Sequence, residues 1–522
     1  MRNKPYPLYD VPYIPDIRTM LERQVQIAPD DTGFQYANKK EIITKTHKEV
    51  LYDAETLSSF LISQGYHNTN IAIVGTNSYE WLIAFFAIIC SGNIAVAVDA
   101  QLPPEKIERM LTDTDCSVLF VSDKCRDKIT SNENLIIYSL NDATNMKTDS
   151  IDNRSTDPDA PAAIFFTSGT TENSKAVILS QKNMMFNVWA SRKNFEVYAM
   201  NLAVLPFHHT LGLVSSLLST YCYGCPVFIN QSFKRIQFDF QSCKPVVLGV
   251  VPLFIETFYK MIRQEAVNQN KWNKIQHWIK ISNFLVSIGF DFRRKKFKDV
   301  LAIFGGELRY IICGGAALDI SYISFFRSIG IDIINGYGIT ECSPVIAVTR
   351  NHYYRDGSVG LVLDKTNVRI ESDGEIAVKS DSVMLGYYHN DMETNKVLRD
   401  GWFYTGDIGH LDKDGFLWIT GRKNNIIVLS NGENISPEAI EMQLVANNAV
   451  EEVVVYSKNN YLAAEIYPGS DYQGNEEYFH ELIDKYNLNQ PMCRQISEIR
   501  FRNKPFQKNN SGKIIRKGIG ES

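Results

Sequence analysis

Up to about residue 365 the chain alternates short apolar, β-branched runs with longer stretches whose apolar residues recur at helical spacing. That alternation is the sign of an α/β architecture. Residues 71–74, Ile-Ala-Ile-Val, read as a buried strand that stops at Gly75. Residues 79–90 follow as a helix and 94–98 as the next strand; 117–122 and 135–138 continue the pattern. Between 141 and 161 the composition turns to Asp, Asn, Ser, Thr and Pro, a surface connection leading into a strand over 162–166.

From Thr366 the texture changes to short strands, 368–370, 375–378 and 415–418, with hairpin-type turn signals at Asp373-Gly374 and Asp414-Gly415. Beyond Gly421 the pattern predicts a strand, a helix over 436–445, strands over 450–456 and 462–467, and a helix over 474–486. The expected fold class is therefore α/β: a large N-terminal domain of mixed α/β subdomains with a β-rich end, then a small α+β domain.

A length of 522 residues exceeds what a single hydrophobic core holds, which agrees with two or more domains. A 44% hydrophobic and 22% charged content excludes disordered and fibrous classes. The net charge of −5 leaves no electrostatic footprint for nucleic acid. Against that background the basic run Arg293-Arg-Lys-Lys-Phe-Lys298 stands out. It reads as a solvated helix face, with contact to membrane headgroups or to an acidic carrier protein as the other reading.

The nine cysteines are scattered, and an odd number does not make a complete disulfide framework. Cys222 and Cys225 form a C-x-x-C in an apolar stretch with no second pair, so they read as small buried residues. The N-terminus lacks the apolar core of a signal peptide, and the longest apolar run, 81–90, is too short to span a bilayer, so a cytoplasmic protein is expected.

Candidate chemistry begins with Phe165-Phe-Thr-Ser-Gly-Thr-Thr-Glu-Asn-Ser-Lys175 at the end of a predicted strand. Its Thr167, Ser168, Gly169, Thr170, Thr171 and Lys175 supply hydroxyls, backbone N–H groups and a cation that suit a polyphosphate. The spacing is not that of a Walker A loop. Four further segments follow in order: Asn335-Gly-Tyr-Gly-Ile-Thr-Glu341; Gly401-Trp-Phe-Tyr-Thr-Gly-Asp407; residues 421–441, opening Gly421-Arg-Lys-Asn-Asn; and Pro505-Phe-Gln-Lys-Asn-Asn-Ser-Gly-Lys513.

With these five collinear motifs, from about residue 40 to the C-terminus, the chain resembles the adenylate-forming superfamily of acyl-CoA synthetases, peptide-synthetase adenylation domains and luciferases. The resemblance implies ATP and Mg²⁺ as cofactors, and CoA or a carrier protein's phosphopantetheine as acyl acceptor. It also implies domains over 1–423 and 424–522, the second a mobile lid. Tyr337 would stack on adenine within Asn335, Gly336 and Gly338, and Gly314, Gly315 and Ala316 would let backbone approach the adenine and the acyl carbonyl. Thr340 would bond the α-phosphate, and Glu341 with Thr167 would hold Mg²⁺. Asp407 would accept the ribose hydroxyls, with Arg422 assisting. Lys513 would bridge the carboxylate and the α-phosphate. A hinge at Asn424 would later withdraw Lys513 and bring Ser430, Asn431 and Gly432 to a pantetheine tunnel. His209 falls where the family keeps a residue gating the acyl site.

Some positions depart from the family pattern. Glu172, Ser174 and Ala176 replace a usual Gly, Pro and Gly in the phosphate loop; Asn509 and Asn424 also differ. An inactive nucleotide-binding homologue is therefore kept as an alternative. Phe207-His208 stands where amino-acid-activating domains carry Phe-Asp, so a plain amino acid is not expected, because its buried ammonium would lack a carboxylate. A long stretch at 271–304, with Cys313-Gly-Gly-Ala-Ala-Leu318, Gly357-Ser-Val-Gly360 and the wording of 428–434, looks most like bacterial long-chain fatty-acid ligases. A medium- to long-chain fatty acid passed to CoA is the expectation. The alternative is a stand-alone ligase loading an acyl or aryl acid onto a carrier protein.

Overall fold

Ser78 opens the helix Tyr79–Cys90 by accepting from the Trp81 N–H at 3.1 Å. The helix is apolar on every face, and its apolar residues are 0–4% exposed, so it lies wholly within the core rather than on its surface. Thr46 and Glu49 cap the helix His47–Ser63 reciprocally. The computed structural model describes residues 4–130, 134–146, 148, 150–152, 154–167, 174–196, 199–428, 434–447, 449–458, 461–508, 514–516 and 518–520.

The chain folds as two units, one of residues 1–169, 173–367 and 378–403, the other of 170–172, 368–377 and 404–522. The first unit carries two sheets among its described residues. In one, Ile136–Ser139, Val118–Val121, Asn70–Val74, Ile94–Val98 and Pro161–Phe166 run parallel, and Ala176–Ser180 and Gly386–Tyr387 continue the edge antiparallel. The other has a parallel centre of Asp332–Gly338, Tyr310–Cys313, Val247–Val250, Asn201–Ala203, Val227–Ile229 and Thr32–Asn38, with antiparallel strands at both ends. Parallel strands need helical crossovers and buried faces, and their alternation with helices is what the sequence pattern predicts.

In a third sheet, most of whose residues belong to the second unit, Asn367–Ile370 lies beside Glu375–Lys379, which lies beside Trp402–Leu411; the last also pairs with Leu417–Arg422. Asp373-Gly374 and Asp414-Gly415 make the two turns between them, with Gly374 and Gly415 at positive φ. The strands Val450–Lys458, Tyr461–Pro468 and Ile496–Phe501 form a separate sheet, packed with the helices Pro437–Val445 and Glu476–Asn487 around Ile440, Leu444, Val453, Ile466, Phe479 and Ile483.

The expectation of a solvated face at 293–298 needs correction. Arg293 is 4% exposed and grips the Asp291 carboxylate through Nε and Nη2 at 2.9 and 2.7 Å. Arg294 donates to the Leu308 and Gly306 carbonyls at 2.6 and 2.7 Å, and Phe297 enters the core at 3%. Only Lys295, Lys296 and Lys298 point outward. Cys222 and Cys225 are buried, as expected. Among the described residues no helix is long and apolar enough to cross a membrane.

Phe240, fully buried, meets Phe304 edge-to-face at 5.4 Å and Phe258 at 6.0 Å in the core beneath the second sheet. Phe240→Ala is expected to cost about 3–5 kcal/mol, read as a lower denaturant midpoint for the first unit.

Candidate functional site

Thr167 follows directly on the strand Pro161–Phe166, at the carboxyl end where parallel sheets present ligand sites. Its N–H donates to the Lys175 carbonyl at 3.0 Å, and its Oγ1 accepts from the Lys175 N–H at 3.1 Å, which closes the neck of the loop. Ser168, Gly169, Thr170 and Thr171 lie outside the described residues, as do Ser430, Asn431, Gly432 and Lys513. Lys508, within the last motif, and Ile514, just after it, form an isolated antiparallel bridge.

The Lys175 ammonium lies 4.7 Å from the centroid of the Tyr387 ring and 2.8 Å from Glu393 Oε2. Tyr387 is 5% exposed and donates its hydroxyl to Glu341 Oε1 at 2.8 Å. Burial and the adjacent Glu341 carboxylate raise the Tyr387 phenol well above its usual range, so it remains a donor. Glu393 is held down to about 2 by Lys175 first, with help from Lys396. Glu341 sits in the short turn Thr340–Cys342, and the Met384 N–H donates to its carbonyl at 2.8 Å. Lys175 and Glu341 are thereby gathered about one tyrosine; Thr167 is tied to the Lys175 backbone, and Thr340 precedes Glu341 in the same turn. Neither Tyr387 nor Glu393 belongs to a motif singled out from sequence; the only signal was their place after Gly386, which pairs Tyr387 against Val177 in the strand following the loop.

Gly314, Gly315 and Ala316 leave the end of strand Tyr310–Cys313, and Gly315 takes φ +89°, open to a glycine without strain. On the neighbouring strand Asp332–Gly338, Asn335 pairs with Cys313, and Tyr337 lies opposite Ala347 on the next strand. A Cβ at Gly314 would stand 3.4 Å from the Gly336 carbonyl, so the two motifs touch backbone to backbone. A Cβ at Gly338 would fall 2.0 Å from the Pro344 oxygen, which only glycine avoids.

His209 occupies the turn before the helical segment Leu211–Leu218, its N–H donating to the Pro206 carbonyl at 3.2 Å. Its ring lies 4.4 Å from that of His208, whose Nε2 is 3.7 Å from Asp99 Oδ1. Burial lowers both imidazoles, and His208 is lowered further by His209, so both are neutral at neutral pH. Leu211 of the same segment would meet a Cβ on Gly314 at 3.3 Å, which puts the histidine turn beside the glycine turn.

In the second unit Asp407 and Arg422 are opposite residues on paired strands. Arg422 Nε donates to Asp407 Oδ1 at 2.8 Å; the aspartate side chain is 5% exposed and the arginine 52%. Thr405 Oγ1 accepts from the Asp407 N–H at 3.0 Å, and the Gly406 N–H donates to buried Glu375 at 3.0 Å. Lys423, next to the expected hinge at Asn424, reaches Asp373 and Glu375 at 2.7 Å each.

Family models match across most of this architecture: AMP-binding enzyme over residues 21–388, and AMP-binding enzyme C-terminal domain over 424–521. The chain belongs to the AMP-binding enzyme family. It is an enzyme of the AMP-forming kind, with the large N-terminal and smaller C-terminal parts of that fold. It is 29% identical over 436 residues to a long-chain-fatty-acid–CoA ligase, FadD15, of Mycobacterium bovis, covering 76% of this chain and 72% of the relative. It is 27% identical over 447 residues to a 2-succinylbenzoate–CoA ligase of Listeria innocua, covering 84% and 85%. Its fold is similar to that of the anthranilate–CoA ligase AuaEII in complex with anthranoyl-AMP, with a TM-score of 0.78, 19% identity and 97% of both chains covered.

Tyr387→Phe would leave Glu341 without this charged hydrogen bond, worth about 1.5–3 kcal/mol; a loss of at least about tenfold in kcat/KM for ATP is expected in pyrophosphate exchange. The Lys175–Glu393 pair carries a second expectation. Because the folded carboxyl sits near 2 instead of 4.5, the pair's contribution is full above 4.5 and is lost as pH falls toward 2. Both partners are partly exposed, so the contribution is small. Denaturant midpoints of wild type and Glu393→Gln should converge on acidification from about pH 6 to about pH 3.

Proposed function

We propose that this chain is an ATP-dependent acid–thiol ligase that converts a medium- to long-chain fatty acid to its acyl-AMP and passes the acyl group to CoA. The observation that carries the reading is the cluster in which Tyr387 joins the phosphate-loop lysine, Lys175, to the carboxylate of Glu341. A cation beside a loop of hydroxyls, with an oxygen pair for a hard divalent ion, is what in-line attack of a carboxylate on an α-phosphorus needs.

Glu341 Oε2 accepts no hydrogen bond among the described residues and would be left for a ligand bond, and Thr167, held against the Lys175 backbone, would add a hydroxyl oxygen. This sparse oxygen set suits Mg²⁺, which keeps waters and phosphate oxygens as its remaining ligands. Mg²⁺ there would neutralise charge on the phosphates. Thr340 would donate to the α-phosphate, Tyr337 would offer its ring to adenine, and the open turn at Gly314–Ala316 would admit the acyl carbonyl. Asp407, oriented by Arg422 and by Thr405, would accept the two ribose hydroxyls. Lys513 would place its ammonium between the attacking carboxylate and the α-phosphate. Rotation of residues 424–522 about Asn424 would then exchange Lys513 for Ser430, Asn431 and Gly432 at the thiol entrance.

The fatty acid is favoured by the long-chain ligase among the relatives, and a plain amino acid is disfavoured by the neutral His208 where an ammonium-binding carboxylate would otherwise stand. An aryl acid is the second reading, favoured by the fuller coverage of the 2-succinylbenzoate ligase. A carrier protein's phosphopantetheine presents the same thiol as CoA.

Pyrophosphate exchange over a panel of fatty, aryl and amino acids, with ATP and Mg²⁺, tests the proposal. Exchange with fatty acids, lost in Lys513→Ala and followed by thioester on CoA, is the expected result. Exchange with aryl acids alone would overturn the fatty-acid assignment. Thioester on a purified carrier protein but never on CoA would overturn the acceptor. ATP binding without exchange for any acid would leave an inactive homologue.

A further inference from the structure

The helix Trp272–Ser287 turns Trp272, Ile275 and Ile279 toward the core and buries Ser282 at 2%. The opposite face carries Lys280, Phe284 and, just past the helix, Ile288, spaced at i, i+4 and i+8 on one line. Phe284, Ile288 and Phe290 are 65%, 54% and 64% exposed, a concentration of large apolar side chains in water that calls for a partner. Gly289 at φ +94° reverses the chain, and the Phe290 N–H closes on the Leu285 carbonyl at 2.9 Å, so the tip is a defined turn.

The charge along the segment that carries the tip is one-sided too. Residues 271–298 hold eight Lys and Arg and one Asp, in a chain whose net charge is −5. Arg293 and Arg294 are spent on Asp291 and on backbone carbonyls, which fixes the segment to the body. Lys295, Lys296 and Lys298 remain outward, with Lys296 lying over the Trp278 ring at 3.3 Å.

We propose that this tip docks the protein on an anionic lipid membrane, with Phe284, Ile288 and Phe290 entering the acyl–headgroup boundary and Lys280, Lys295, Lys296 and Lys298 meeting the headgroups. Lysines beside protruding apolar side chains match both layers of such an interface. A second copy would bring like charge against like charge. An acidic protein would pair the lysines but offer no hydrocarbon to the apolar side chains. The inference goes beyond the ligase reading and has a readout independent of it. Under that reading, the surface would place the enzyme where a water-insoluble acid is concentrated.

Co-sedimentation of the full chain with vesicles tests it, using phosphatidylcholine alone or with about one-third phosphatidylglycerol. Wild type should bind the anionic vesicles and release at high salt. Lys295→Glu/Lys296→Glu/Lys298→Glu should weaken binding about a hundredfold or more, each lysine being worth on the order of fivefold near such a surface. Phe284→Ser/Phe290→Ser should weaken it on phosphatidylglycerol vesicles while leaving pyrophosphate exchange with a water-soluble acid unchanged. No binding to anionic vesicles, or equal binding by the variants, overturns the proposal. So does a wild-type dimer that Phe284→Ser/Phe290→Ser converts to monomer, or capture of an acidic carrier protein without vesicle binding.

Discussion

Glu341 keeps its orientation because the Tyr387 hydroxyl donates to it at 2.8 Å, while the same ring faces the Lys175 ammonium at 4.7 Å. One side chain therefore positions an anion and a cation that must not simply neutralise each other. A direct Glu341–Lys175 pair would satisfy both groups and leave neither for a metal or a phosphate. With an aromatic ring between them the two groups do not pair directly: the cation faces the ring while pairing with Glu393, and Glu341 Oε2 accepts no hydrogen bond among the described residues. Burial makes the arrangement dependable, since the raised phenol stays protonated across the working pH range. The backbone enforces it: Tyr387 pairs with Val177, two residues past Lys175, so strand register sets the distance between ring and cation.

The other candidate groups of the first unit follow from strand direction. Thr167, Gly314 and the His208-His209 turn all come just after the carboxyl ends of parallel strands, as such sheets require of a ligand site. Two glycines permit the close packing there. Gly338 avoids the Pro344 oxygen, and Gly315 takes a left-handed turn that leaves backbone open beyond the strand. Backbone that approaches this closely supplies N–H and C=O groups with little side-chain entropy to lose.

Much of this was legible in the sequence where a single local force decides the outcome. The helix 79–90 and the strand 94–98 have the predicted bounds, because a serine cap and an unbroken apolar run leave no competing register. The helix expected over 474–486 instead starts at Glu476, since Gly474 takes φ +81° and Asn475 makes the cap. Tyr387 was not legible. It sits on a strand of two residues, Gly386–Tyr387, with no period to read, and both of its partners, Glu341 and Lys175, lie more than 40 residues earlier in the chain. The run at 293–298 misled for a related reason: like charges adjacent in sequence take opposite environments, Arg293 and Arg294 held by a carboxylate and carbonyls while Lys295, Lys296 and Lys298 face water.

Glu393 sets a condition on the phosphate-binding role proposed for Lys175. Lys175 is already matched by that carboxylate at 2.8 Å, so an incoming anion must displace a paired charge instead of filling a vacancy. A single carboxylate ligand gains nothing from such an exchange, whereas a polyphosphate brings several charges to the same ammonium. The displaced Glu393 is not left bare, because Lys396 also pairs with it from the same helix, Asp391–Val397. Its cost of separation from Lys175 is thereby reduced. On the proposed reading the exchange would favour the more highly charged ligand.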